Sequence, residues 1–228
     1  RGRIITPLKD RFGAEIRTHY PHVLDDEISV IEQEANLQAN VPSYLLEVLA
    51  RFTRLLRDSP SVDQRSGVSA RFAIAAAETI AAAATHRAAV LGEGDAVARP
   101  VDLGTIIEVL RGKVEFESGE EDREVEVLEH LLRRATADTV RERLGGIDLA
   151  PLVTAVEEGK PVVTGDRITA KALLDELPDL EVLGEIASRL DASSDGERAS
   201  AIELALEGLY LARRIAKDPD DDGQTVYS

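Results

Sequence analysis

Few side chains in this sequence sit where they could ligate a metal, move a proton or hold a phosphate, and most of those have a plainer reading. His19 and His22 stand three apart, just ahead of Asp25 and Asp26, a donor set that could hold a divalent ion. On a connection from a strand to a loop that spacing places the donors poorly, so they read as surface histidines and no metal site is expected. Asp218-Pro219-Asp220-Asp221-Asp222-Gly223 imitates the start of a calcium-binding loop, but the bidentate glutamate that closes such a loop would fall beyond Ser228. The run reads as a solvated acidic tail. Val23-Leu24-Asp25-Asp26-Glu27 has only two apolar residues ahead of its acids, and helix capping explains it better than a metal-holding strand end. No G-x-x-x-x-G-K-[ST] occurs, and Gly159-Lys160 has Thr154 where the upstream glycine belongs. The chain therefore has neither the backbone cradle for β- and γ-phosphates nor the hydroxyl for Mg²⁺. Serine, histidine and aspartate are present without a nucleophile elbow. What remains is a pair of arginines, Arg11 just before Phe12 and Arg71 just after Ser69. A guanidinium is always charged and offers five donors in a fork that fits phosphate oxygens. Each also has a bland reading, Arg11 as a surface arginine beside a buried Phe12 and Arg71 as the partner of a carboxylate on a neighbouring helix.

The elements that must position these residues are mainly helical. Ala14 to Tyr20 alternates, with Ile16, Thr18 and Tyr20 opposed to Glu15, Arg17 and His19, and this period of two predicts one short strand. A lone strand leaves its backbone groups unpaired, so it is expected to pair with a sheet outside this sequence or to be frayed here. Asp25 is expected to cap a first helix carrying Ile28 and Ile31. A second helix starts at Pro42-Ser43 and aligns Leu45, Val48, Leu49, Phe52 and Leu56. A third runs from Ser69 through an alanine-rich stretch to about Val90, with side chains small enough to let neighbouring helices approach closely. Asp102 is expected to cap a fourth, closing at Gly112. After a stretch of extended character at Val114 to Glu117, helices are predicted from Gly119 to about Gly145, from Asp148 to about Glu158, from Thr169 to Pro178, over 179–190, and from about Glu197 to Lys217.

Two short motifs resemble a known family. Leu8-Lys9-Asp10-Arg11-Phe12-Gly13 resembles the LLDRFG signature at the end of the ATPase core in magnesium-chelatase I subunits and MoxR-type AAA+ ATPases, with Lys9 where a second leucine is common. Gly67-Val68-Ser69-Ala70-Arg71 resembles the GASPR start of the third lid helix in MoxR-like proteins. The resemblance implies that Arg11 is an arginine finger reaching a neighbouring subunit's nucleotide. It implies that Arg71 is a sensor-two residue on the ATP phosphates of its own chain, with Ser69 capping its helix. The general lid resemblance covers about residues 1–112. Leu110 to Glu117 and Ala205 to Leu211 resemble an extension found in a bacterial subgroup of magnesium-chelatase-like proteins. ATP and Mg²⁺ are then the expected cofactors, bound by a core outside this sequence, and a homo-oligomeric ring, hexameric by analogy, is the expected assembly. The chain alone is expected to be inactive. A helical scaffold or adaptor with vestigial ATPase motifs is the competing expectation.

Composition narrows the remaining classes. No cysteine occurs, which removes disulfides, thiolate zinc sites and cysteine nucleophiles and fits a reducing, cytoplasmic compartment. No apolar run approaches the roughly 20 residues that span a bilayer. The sequence opens on Arg1 and has no methionine, so it reads as a piece of a longer polypeptide. The net charge of -16 is uneven: residues 1–112 hold 13 basic against 15 acidic residues, and residues 113–228 hold 14 against 28. An acidic half repels phosphate backbones and anionic membranes, so neither nucleic acid nor membrane is expected there. A client or adaptor protein is the expected partner of that surface. The expected fold is all-α. It comprises the end of an ATPase core with one short strand over residues 1–24, a four-helix lid over 25–112, an acidic helical domain over 113–217 and a flexible tail over 218–228.

Overall fold

The first helix is begun by charge rather than by a capping side chain. In the computed structural model, which describes residues 11–14, 16, 18–119, 122–159, 161–219 and 224–228, α1 spans Leu24–Glu34 with Asp25, Asp26 and Glu27 in its first turn. Carboxylates there meet the positive end of the helix dipole. Val23 holds the N-cap position without a side-chain hydrogen bond, so Asp25 lies inside the helix it was expected to cap.

The second helix, α2 (Ser43–Asp58), follows Pro42, whose fixed φ suits a helix entry. Its predicted face is buried, but so is the opposite one: Tyr44 through Ala50 are all buried. Seven consecutive buried residues cover the whole circumference of a helix, so α2 is wrapped on every side. The alanine-rich α3 (Ala70–Leu91) lies against α1 and α2, and Gly92 ends it in the left-handed conformation, φ 71°, that glycine adopts at no steric cost. The predicted fourth helix is divided into a 3₁₀ turn at Pro100–Gly104, the helix α4 (Thr105–Leu110) and a second 3₁₀ turn at Arg111–Lys113. Asp102, expected to cap this helix, lies inside the first 3₁₀ turn, where its carboxylate accepts the Arg99 backbone N–H at 2.8 Å.

Beyond Lys113, Phe116 bridges Val62 and the chain enters α5 (Glu124–Leu144). Next come α6 (Ala150–Glu158), the strand β1 (Val162–Thr164), α7 (Ala170–Glu176), α8 (Glu181–Arg189) and α9 (Asp195–Leu211). Thr169 caps α7 by accepting from Ala172 N, as its sequence position predicts. At α9, Ser194 and Glu197 form a reciprocal capping box. The chain closes with β2 (Lys217–Pro219) and β3 (Thr225–Tyr227), and β3 lies between β1 and β2 in an antiparallel sheet, with Tyr227 opposite both Val162 and Lys217.

The molecule is mostly helical with one small three-stranded sheet. Two expectations are corrected, and a third takes its frayed form: over the expected N-terminal strand, Ala14, Ile16 and Thr18 to Tyr20 have no strand structure, and Ile16 is 87% exposed. No strand among the described residues lies beside them, and unpaired backbone has no reason to stay extended. Residues 15, 17 and 1–10, including Leu8 to Asp10 of the first motif, lie outside the described residues. Of the flexible tail expected over 218–228, Asp218, Pro219 and Thr225 to Tyr227 instead lie in the sheet, where Val226 and Tyr227 supply the apolar contact that an acidic run alone lacks; Tyr227 is 3% exposed, and residues 220–223 lie outside the described residues. Finally, the core does not break near Gly112. One cluster of buried residues runs from Ile31 to Tyr227, with α2 packed along α5.

Candidate functional site

The two arginines of the sequence motifs both reach solvent. Arg71 is the second residue of α3, exposed, and carries no hydrogen bond or ion pair among the described residues. Ser69 stands at the N-cap position as expected, with extended backbone angles, but its hydroxyl makes no capping bond. The first turn of α3 contains no acidic residue. The start of α3 therefore presents free backbone donors, a hydroxyl and a guanidinium with no carboxylate to neutralise them. Arg11 is exposed and likewise unpaired among the described residues, and Phe12, expected inside, is 64% exposed. Arg11 lies on the surface, as its bland reading has it, but without a buried Phe12 beside it, and Arg71 has no carboxylate partner among the described residues.

A third arginine, which sequence reasoning did not single out, joins the two regions. Arg57 on α2 donates to both carboxylate oxygens of the buried Glu27 at 2.6 and 2.8 Å, and its Nε donates to the Val68 carbonyl at 2.8 Å. Its guanidinium also stacks 4.0 Å from the Tyr20 ring centroid. One side chain thus ties together α1, the residue preceding Ser69, and Tyr20. Nearby, Arg54 donates to the His22 carbonyl at 3.1 Å while its Nη1 is buried without a partner. The rings of His19 and His22 stack at 4.3 Å between centroids. Among the described residues, no group of three or more His, Cys, Asp or Glu is placed to hold a metal ion.

A second polar centre lies in the loop between α3 and α4. Arg87 donates to Asp102 twice, to Glu93 and to the Val97 carbonyl, while Glu93 also accepts from Ala170 N at the start of α7. Arg99 is fully buried and donates to both oxygens of Glu203 on α9, at 3.1 and 2.5 Å, and to the Ile168 carbonyl at 2.6 Å. Burial alone would lower the Arg99 pKa. The Glu203 carboxylate, helped by Asp102 and Glu93, more than offsets this and holds it above its ordinary value. These residues hold the two halves of the chain together. Sequence carried no signal of it, because Arg99 and Glu203 are 104 residues apart.

Compared with protein-family models, curated proteins and solved structures, the chain matches none of them. Among the described residues, no helix is long and apolar enough to cross a membrane.

Proposed function

We propose that this chain is the C-terminal lid and partner-docking region of an oligomeric AAA+ ATPase similar to magnesium-chelatase I subunits and MoxR proteins. In this reading, ATP hydrolysis in a core outside the sequence drives remodelling of a partner or metal insertion. The observation that carries the reading is the start of α3. Arg71, uncompensated and exposed, stands beside an uncommitted Ser69 hydroxyl on a helix end free of acids, which suits a polyphosphate. The free, exposed guanidinium of Arg11 supports its assignment as a finger across a subunit boundary. Arg57, bound to Tyr20 and to the Val68 carbonyl, would make the two regions move together on nucleotide binding.

The test is kinetic complementation in the protein that carries the ATPase core. Arg11→Ala lowers turnover by about a thousandfold, the lower end of what an arginine finger contributes, while nucleotide still binds. Mixing Arg11→Ala subunits with subunits disabled in the phosphate-binding loop restores part of the activity, since each supplies what its neighbour lacks. Arg71→Ala weakens the nucleotide response from within its own subunit. Independent losses with no recovery on mixing would overturn the assignment across the boundary. The continuous core favours a second reading, a non-catalytic helical scaffold, because a lid that hinges separately from its extension would not share one interior. Under that reading neither substitution changes any nucleotide-dependent property.

A further inference from the structure

Between the first 3₁₀ turn, α4, α5, α9 and the C-terminal sheet lies an open cleft of about 500 Å³, within the size range of small-ligand sites. Part of its wall is apolar, from Leu103, Ile107 and Leu132. Among the described residues its charged lining is unequal: Glu108, Glu129, Glu203, Glu207 and Asp218 face only Arg133 and Lys217. Glu203 is engaged by Arg99 and Glu129 by Arg133. The side chains of Glu108 and Asp218 carry no hydrogen bond or ion pair among the described residues, so negative charge is left over.

The chain itself shows what the cleft accepts. The Lys217 ammonium donates to Glu207 Oε2 and lies 5.4 and 5.6 Å from the ring centroids of Tyr210 and Tyr227. The Tyr227 hydroxyl donates to the same Glu207 oxygen at 2.7 Å, which fixes the ring against the carboxylate. A carboxylate flanked by two aromatic faces attracts an ammonium through both its charge and the ring quadrupoles. An anion entering the cleft would find Arg133 and Lys217 already paired and the unpaired acids opposed to it.

We propose that this cleft is a binding site for an alkylammonium group, seated between Tyr210, Tyr227 and Glu207 with its alkyl chain along Leu103, Ile107 and Leu132. Lys217 is the built-in competitor that occupies the cage when no ligand is present. The ammonium can come from a free diamine or from a lysine side chain of a partner peptide, since both present the same chemistry.

The experiment is calorimetric titration of the full chain at low ionic strength with 1,5-diaminopentane and, separately, with a blocked pentapeptide containing one lysine. The neutral 1,5-pentanediol and the anion glutarate serve as controls. Native chain binds the amines weakly, Lys217→Gln binds at least one of them at least tenfold tighter, and tyrosine ring-proton resonances shift on binding. Tighter binding of the peptide identifies a protein partner as the source, and tighter binding of the diamine a free amine; either supports the cage. No amine binding by native chain or Lys217→Gln, or equal binding of the diol, overturns it. If Lys217→Gln fails to fold, Glu108→Gln decides instead: a severalfold loss of amine affinity relative to native chain supports the site, and unchanged affinity overturns it.

Discussion

At the scale of single residues, the energetics of this protein are set by guanidinium groups taken out of water. Arg99 and Glu203 are both essentially inaccessible, and each is the other's charged hydrogen-bond partner. Removing one member of such a pair leaves an uncompensated charge inside the protein, at a cost of about 3–5 kcal/mol. Arg99→Met is therefore expected to lower the urea midpoint sharply, and the double change Arg99→Met with Glu203→Leu to regain much of the loss, as two apolar residues of similar size repack. Equilibrium denaturation of the three variants measures this directly; additive losses in the double variant would show that the pair is not the coupled unit the geometry describes. The exposed arginines were legible in sequence because their neighbours, Phe12 and Ser69, are local. Arg57 and Arg99 were not, because what gives them meaning, Glu27 and Glu203, is brought close only by the fold.

At the scale of elements, helix positions were mostly legible from local signals, although the last helix, expected to run to Lys217, ends at Leu211 and Lys217 stands in β2. Thr169 caps the start of α7 at its expected place, and Gly92 ends α3 in left-handed backbone just past the expected end near Val90. The sheet was not legible, since its strands are three residues each and β1 and β3 are separated by four intervening elements. Close helix crossings were also hidden. On α9, a Cβ added at Gly208 would lie 2.4 Å from Cγ1 of Val140 on α5, too near for any real contact. Gly208→Ala should thus destabilise, the roughly 1 kcal/mol of helix propensity gained being outweighed by about 1–3 kcal/mol of overpacking. In the Val140→Ala background the same change should cost less, and a double-mutant cycle read from chemical denaturation tests it. The start of α9 carries a pH dependence. Backbone N–H groups of Ser194 and Ser193, then the Ser193 hydroxyl, hold the Glu197 carboxyl down to about 2, with Asn40 adding a further donor. The folded state therefore binds this proton more weakly than the unfolded chain, and the stabilisation is present above the ordinary carboxylate range and lost as pH falls toward about 2. Thermal melts of native chain and Glu197→Gln should differ most near neutrality and converge between about pH 4.5 and 2. A constant gap across that window would remove the proton linkage.

At the scale of the whole molecule, the decisive question is whether residues 1–112 form a unit of their own. Sequence placed a boundary at Gly112 because an amphipathic face on each helix can be assigned to a four-helix unit without knowing what else covers it. The structure gives α2 a second buried face, packed along α5, and gives Glu47 a bond from Arg143 on that helix at 2.6 Å besides its bonds from Arg51. It buries Arg99 against a carboxylate that belongs to α9, a helix that is itself buried continuously from Ala199 to Leu206. A fragment of residues 1–112 would keep Arg99 but lose Glu203, keep Glu47 but lose Arg143, and expose one flank of α2. Losing these partners together with the helices that cover α2 and Arg99 is set against a total stability of only about 5–15 kcal/mol for a typical domain. Residues 1–112 are accordingly expected to lack a cooperative thermal transition and to bind a hydrophobic dye, while the full chain melts cooperatively in a single step. A sharp melt of the fragment at a temperature close to that of the full chain would establish Gly112 as a real boundary, and would return the shared interior to the status of an interface between two independently stable parts.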